Sequence, residues 1–234
     1  MTYTGDVAPG APADARALDE VTIRKASVGP MDNDAYLLTC RRTGAQLLVD
    51  AAAEPDRLLA LVREGAPDGR LDLVVTTHRH ADHLGALAAV LDATGASHAA
   101  GGPDADAVAA AAGTTAPRAL AHGETLAVGA LALEVVALRG HTPGAVALAY
   151  TEPAGACAPG AVPGRVHLLT GDSLFPGGPG RTTDPAGFDA LMTDLERRVF
   201  ARFRDDTWVY PGHGRDTTLG AERPHLAAWR ARGW

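Results

Sequence analysis

Apolar positions along the chain follow two rhythms. Val21 to Val28, Ala35 to Cys40 and Gln46 to Val49 are short apolar runs separated by the turn-rich Gly29-Pro30 and Thr43-Gly44, which predicts an opening meander of strands. The period then changes. Glu54 to Arg63 carries leucines at 58, 59 and 61 with Val62, a helical spacing, and Leu71 to Val75 suits a buried strand. His83 to Leu91 is helical again through Leu84, Leu87, Val90 and Leu91, so a histidine-rich stretch lies on a strand-to-helix loop. Asp104 to Ala112 reads as a helix, and Thr125 to Val128, Leu131 to Leu138, Ala145 to Tyr150 and Val166 to Thr170 read as strands. Phe188 to Phe203 is the clearest amphipathic helix, Thr207 to Tyr210 a final strand and Ala221 to Ala231 a closing helix. Glu152 to Gly164, rich in Pro, Gly and Ala, is expected to be a hairpin loop.

Strands and helices in mixed order, with hairpins as well as crossovers, predict an α/β (α+β) fold of two sheets covered by helices, a four-layer αββα sandwich. At 234 residues and 46% apolar content the chain can bury a substantial core. We expect residues 20–234 to form a single domain and 1–19, with Pro9 and Pro12, to be a flexible tail. The tail has no positive start followed by an apolar stretch, so neither signal peptide nor membrane anchor is expected, and a cytoplasmic location is.

Charge narrows the partners to small molecules. The net charge is -7, and no basic run is longer than Arg41-Arg42 or Arg197-Arg198, which excludes a basic stripe for nucleic acid. Lys25 is the only lysine. Cys40 and Cys157 fit no zinc-ribbon or redox spacing and read as structural or incidental.

The chemistry concentrates in His78-Arg79-His80-Ala81-Asp82-His83. On an extended segment, two-residue spacing turns His78, His80 and Asp82 to one side, with His83 offset into the following helix and Arg79 outward. Imidazole and carboxylate together suit zinc, iron or manganese. Three further positions flank predicted strands beside glycines: His141 in Gly140-His141-Thr142-Pro143-Gly144, Asp172 in Thr170-Gly171-Asp172-Ser173, and His213 in Pro211-Gly212-His213-Gly214. Glycine next to each lets a loop turn tightly and aim a side chain inward. His98, His122, His167 and His225 lie outside these motifs and are expected to be structural or solvent-facing.

With these motifs in this order, the chain from about Val21 to His213 resembles the metallo-β-lactamase superfamily, and within it the glyoxalase-II-like hydrolases. The resemblance implies that His78, His80 and His141 hold one metal, that Asp82, His83 and His213 hold a second, and that Asp172 bridges them. Asp50 matches the family's early aspartate, which supports the ligand loops from behind. Two divalent ions, zinc by expectation with iron or manganese as alternatives, can hold a hydroxide at neutral pH, which Asp82 would orient. Arg181 resembles a residue of the family's glycine-rich segment after the bridging aspartate, where it would contact an anionic substrate or hold the loop together. Asn33 and Tyr36 are expected to serve turn and core.

The implied reaction is hydrolysis of a hydroxyacyl thioester or a related ester or lactone. Glyoxalase II proper carries a helical C-terminal domain that helps bind glutathione, whereas 21 residues follow His213 here, so a different thiol or smaller ester fits as well. The alternative is a persulfide dioxygenase with a single iron on His78, His141 and Asp172. A β-lactamase is less favoured, because those enzymes generally lack the bridging aspartate, and a non-catalytic metal-binding scaffold is the last alternative. Substrate choice is expected to depend on the loops Gly29 to Tyr36, Glu152 to Gly164 and Phe175 to Pro185.

Overall fold

The computed structural model describes residues 3–233. Its first sheet takes seven strands in chain order: β1 (Asp14–Ala17), β2 (Val21–Val28), β3 (Asn33–Cys40), β4 (Gln46–Val49), β5 (Leu73–Thr76), β6 (Ser97–Gly101) and β7 (Arg118–Leu120). Strands β1 to β4 pair antiparallel and β4 to β7 parallel. The parallel half needs crossovers, which α1 (Pro55–Gly65), α2 (Leu87–Thr94) and α3 (Ala105–Ala112) provide.

The chain continues through β8 (Thr125–Val128), β9 (Leu131–Ala137), β10 (Val146–Thr151), β11 (Val166–Gly171), β12 (Leu174–Phe175), β13 (Gly178–Pro179), β14 (Trp208–Pro211) and β15 (Thr217–Thr218). The second sheet has the order β15-β14-β11-β10-β9-β8, and β12 with β13 makes a separate ribbon. Helix α4 (Pro185–Asp194) runs on into a π-helical segment, Leu195–Phe200, and α5 (Leu219–Glu222) and α6 (Leu226–Arg232) follow β15. No helix among the described residues is long and apolar enough to cross a membrane.

Three apolar clusters make this the four-layer sandwich. Between the sheets, Ile23, Leu38, Leu47 and Val75 meet Leu133, Val135, Leu148 and Leu169. Outside the first sheet, Leu58, Leu61, Leu87, Val90 and Val108 of the helices cover Leu37, Leu48 and Val74. Outside the second, Phe188, Leu191, Met192 and Trp229 cover Val136, Leu168 and Val209. Each fully buried leucine or valine contributes about 1.5–3 kcal/mol, and β3, β4 and β5 are buried on both faces, as strands between a helical layer and a second sheet must be. Local signals agree, for Asp184 caps α4 by accepting from Gly187 N at 2.7 Å, with Pro185 in the first turn.

Several elements differ from the reading of the sequence. The helix expected over His83 to Leu91 is broken: Ala81–His83 is a 3₁₀ turn and α2 starts only at Leu87. The break lets His83 turn inward, fully buried. The closing helix is also interrupted, by a 3₁₀ turn at Arg223–His225, where Pro224 has no amide hydrogen to continue the ladder. Within the expected tail, Asp14–Ala17 pairs with Thr22–Lys25 as the edge strand, and Tyr3 reaches Asp216. Strands β1, β6 and β7 and the short β12, β13 and β15 were not legible. They are too short or too rich in alanine and glycine to mark an apolar run.

The strands set one working rim. Asp50, the 77–83 loop, the 138–145 loop, Asp172 and His213 follow the ends of β4, β5, β9, β11 and β14, and these ends lie together. Residues 152–164 do form the β10–β11 hairpin loop, but at the opposite end of those strands, where Cys157 N and Ala158 N donate to Asp19. That loop does not border the site.

Candidate metal centre

Two clusters of side chains meet on this rim. In the first, His78 Nε2 lies 3.1 Å from His80 Nδ1 and 3.2 Å from His141 Nε2. Four ligands arranged tetrahedrally at about 2.0–2.1 Å from one ion are about 3.3–3.4 Å apart, so the three nitrogens are spaced for a shared cation. In the second, His213 Nε2 lies 3.3 Å and His83 Nε2 3.6 Å from Asp82 Oδ2. Asp172 stands between them. Its Oδ2 is 3.6 Å from both His141 Nε2 and His213 Nε2, and its Oδ1 is 3.4 Å from His83 Nε2. His83 Nε2 and Asp172 Oδ1 are buried with no hydrogen-bond partner among the described residues. Buried polar atoms of this kind are costly unless something satisfies them, and a cation between the clusters would. The seven residues therefore fit a binuclear site.

The backbone explains how they are aimed. A register irregularity between Leu169 and Gly171, on the β11–β14 pair, bends the chain before Asp172, and Gly171 has a φ of +48°. Gly212 packs so closely that a Cβ there would lie against Asp172 Oδ1 and the His83 ring. Asp50 ends β4 in the left-handed region, φ +59°, a conformation aspartate tolerates better than most residues. Its carboxylate thereby turns back to accept from Thr77 N and Thr77 Oγ1, both at 2.7 Å, and to meet His83 Nδ1 at 2.9 Å.

The outer ring nitrogens of His141, His213 and His78 are held in the same way, which leaves their facing nitrogens for the site. His141 Nδ1 donates to the Arg181 carbonyl at 2.6 Å, and His213 Nδ1 to the Met31 carbonyl at 2.9 Å. His78 Nδ1 lies 3.1 Å from Thr77 Oγ1. Asp82 Oδ2 accepts from Asn33 Nδ2 at 3.0 Å.

Electrostatics divides the two clusters. Burial, with the neighbouring imidazoles, holds His78 well below the usual histidine range and His80 below it, so both are neutral at pH 7. Burial also acts on His83, but Asp50 and Asp172 outweigh it and push the imidazole up to about 10. The Asp172 carboxylate, 3.6 Å away, raises His213 as well. Burial raises Asp172, but His213 and His83 overcome it and hold that carboxyl well below the usual range. For Asp82 burial is outweighed by Asn33 and His83, and it too stays ionised. In the first cluster His78 and His80 offer neutral nitrogens, and the second is anionic enough to keep protons where a metal's charge could stand instead.

All seven expected ligands are brought together, and Asp50 sits behind His83. The side chain of Arg181 is exposed beside a cavity of about 310 Å³ that Arg232 and Phe188 also line. His98, His122, His167 and His225 join no metal-like group among the described residues. Tyr36, expected in the core, is buried and donates to the Pro211 carbonyl at 2.7 Å. Asn33 does more than the expected turn role through its bond to Asp82, and Asp104 and Lys25 were missed as supports. Nothing in the spacing of Asp104 among its neighbouring acidic residues marks it out, because its partners lie on distant loops.

The metallo-beta-lactamase superfamily model matches residues 28–213. A probable hydroxyacylglutathione hydrolase, glo2, of Schizosaccharomyces pombe is 31% identical over 188 residues, which are 79% of this chain and 65% of that protein. The chain thus spans slightly less than two-thirds of the length of the hydroxyacylglutathione hydrolases it first matches. Among solved structures, ETHE1 from Myxococcus xanthus superposes with a TM-score of 0.70 at 28% identity, covering 87% of this chain and 82% of that one. TTHA1623, in a di-iron-bound form, gives 0.63 at 32% identity over 84% and 95%. The sandwich, the convergence of seven ligand-type residues at one rim and a family match spanning that rim give one answer: the chain belongs to the metallo-beta-lactamase superfamily.

Proposed function

We propose that the protein is a binuclear metal-dependent hydrolase that cleaves a thioester, a hydroxyacyl thiol in the leading case, or a related ester or lactone. The observation that carries this reading is Asp172 Oδ2, 3.6 Å from a nitrogen of each cluster. His78, His80 and His141 would hold one ion, Asp82, His83 and His213 the other, with Asp172 shared. Two divalent ions there would supply a nucleophilic water at neutral pH and polarise the scissile carbonyl. Zinc suits the three-imidazole set, and iron and manganese accept the same ligands.

The protein's own groups then orient the reaction. Asn33 fixes Asp82 Oδ2 toward His213, so that the carboxylate would be held in place to orient the attacking water. Hydrogen bonds behind His83, His141 and His213 fix their rings before substrate arrives, so little reorganisation is left for the reaction. Arg181, whose carbonyl fixes His141, would place its guanidinium and that of Arg232 near an anionic arm of the substrate. Similarity to hydroxyacylglutathione hydrolases supports the thioester class.

A mononuclear iron dioxygenase acting on persulfide is the second reading, since His141 Nε2 lies 3.2 Å from His78 Nε2 and 3.6 Å from Asp172 Oδ2 and ETHE1 is a structural neighbour. It leaves the placement of His213, held by Met31 and facing Asp82, without a purpose. The test is metal quantification on purified protein, followed by thioesters, esters, lactones and persulfides. Two equivalents with thioester hydrolysis are expected. One iron per chain with oxygen consumption on persulfide would sink the hydrolase.

A further inference from the structure

The chain's one lysine is placed where an ammonium is hardest to keep. Lys25, on β2, is fully buried. Its Nζ meets the Gly5 carbonyl at 2.9 Å, the Gly214 carbonyl at 2.5 Å, Asp216 Oδ1 at 2.8 Å and Asp34 Oδ2 at 3.1 Å. These oxygens come from the N-terminal segment, from β3 and from the loop that leaves His213. The other oxygen of Asp216 accepts from Tyr3 and from Trp208 Nε1, each at 2.7 Å. Gly5, with a φ of +71°, packs against that carboxylate so tightly that a Cβ would collide with it.

The 211–216 loop is therefore gripped on both sides of His213. Before the histidine, Tyr36 donates to the Pro211 carbonyl and Asp34 N to the Gly212 carbonyl at 2.8 Å. After it, Lys25 takes the Gly214 carbonyl and Asp216, and the N-terminal segment closes over the same groups. A buried ion pair adds little to stability over an apolar pair of the same size, but it fixes one geometry where apolar packing would allow several. An apolar residue at position 25 would have kept the sheet without gripping the loop.

We propose that Lys25 is a positioning residue for the second metal position: it straps residues 3–5 across the back of the 211–216 loop and so keeps His213 turned toward Asp82 and Asp172. The proposal rests on the binuclear reading of the site. Its consequence is that the N-terminal segment, remote from the ligands in sequence, governs how tightly the second ion is held and leaves the first alone.

Because Lys25 is the only lysine, an amine-reactive ester, with the label located by peptide mapping to separate Lys25 from the α-amine, reports on whether the strap is closed. The test uses full-length protein stripped with chelator, titrated with zinc and labelled in parallel. Wild type is expected to take two equivalents with Lys25 unlabelled. Gly5→Val, which pries the segment from Asp216 and leaves every charge in place, is expected to expose Lys25 to label. It should weaken the second equivalent at least tenfold while the first stays within twofold. Lys25→Met should weaken the second equivalent in the same way, and Gly5→Val decides the matter if that variant does not fold. Equal weakening of both equivalents, which a merely structural role predicts, would overturn the proposal, as would label on Lys25 in wild type. Two unweakened equivalents in Gly5→Val overturn the strap alone. A single equivalent in wild type overturns the binuclear reading and this inference with it.

Discussion

Thr142 Oγ1 donates a 2.5 Å hydrogen bond to the carboxylate of Asp104, tying the loop of His141 to a residue that also holds the loop of His78 and His80. Asp104 is fully buried, and it accepts as well from Gly144 N at 3.0 Å and Arg79 N at 3.3 Å. The first cluster draws on both sheets, and this carboxylate sets their spacing at the site. Asp104→Ala should lower stability by about 2–4 kcal/mol, because buried donors lose their acceptor. It should also weaken the first metal equivalent more than the second. Thermal unfolding of the metal-free protein and zinc titration check the two parts, and a variant with full stability loss but unchanged first-site affinity would contradict the account.

Asp50 supports the other half. Its contact with His83 Nδ1 sets both the ring and its charge. Asp50→Asn keeps the shape but removes the negative charge, so affinity at the second position should fall by about 10–100-fold. The magnitude is read from metal content after dialysis against graded chelator, and retention of two equivalents at wild-type affinity would be the contrary result.

Gly212→Ala adds one methyl where Asp172 Oδ1 and the His83 ring leave no room. The variant should fold, since the collision is confined to the rim, but it should lose binuclear occupancy and at least about 10²-fold in thioester hydrolysis, comparable to losing one group that stabilises the transition state. Normal kcat with two metals bound would show that the loop can yield.

The two positions should respond differently to pH. In the metal-free protein His83, despite its burial, is raised to about 10 by Asp50 and Asp172. Its proton stabilises the fold in full below the unfolded value of about 6.5, and that contribution disappears as pH rises through about 10. A metal must displace this proton, so affinity at the second position should rise about tenfold per pH unit from about 7 toward 10. His78 and His80 are lowered, chiefly by burial, and hold no proton there. The first position should be nearly flat over the same window. Calorimetric titration in buffers of different ionisation enthalpy measures the protons released, and parallel slopes for both positions would refute the assignment.

The sequence announced the ligands better than their supports for a physical reason. His78, His80, Asp82 and His83 are adjacent along the chain, and glycines flank His141, Asp172 and His213, so local spacing carries the signal. Asp104, Asn33 and Lys25 act on the ligand-bearing loops from at least 25 positions away, through contacts that exist only once the chain has folded. The fold shows the same division. Strands β2, β4 and β8 coincide with their apolar runs, whereas β6, made of Ser97–Gly101, is held by its parallel neighbours and carries almost no pattern of its own.

The β10–β11 loop lies at the rim opposite the metal cluster, and it carries Cys157, exposed, while the other cysteine, Cys40, is buried. The molecule therefore has a natural handle. A maleimide tether at Cys157 would attach every copy to a surface or a fluorophore in one orientation, with the reactive rim facing outward and open to substrate.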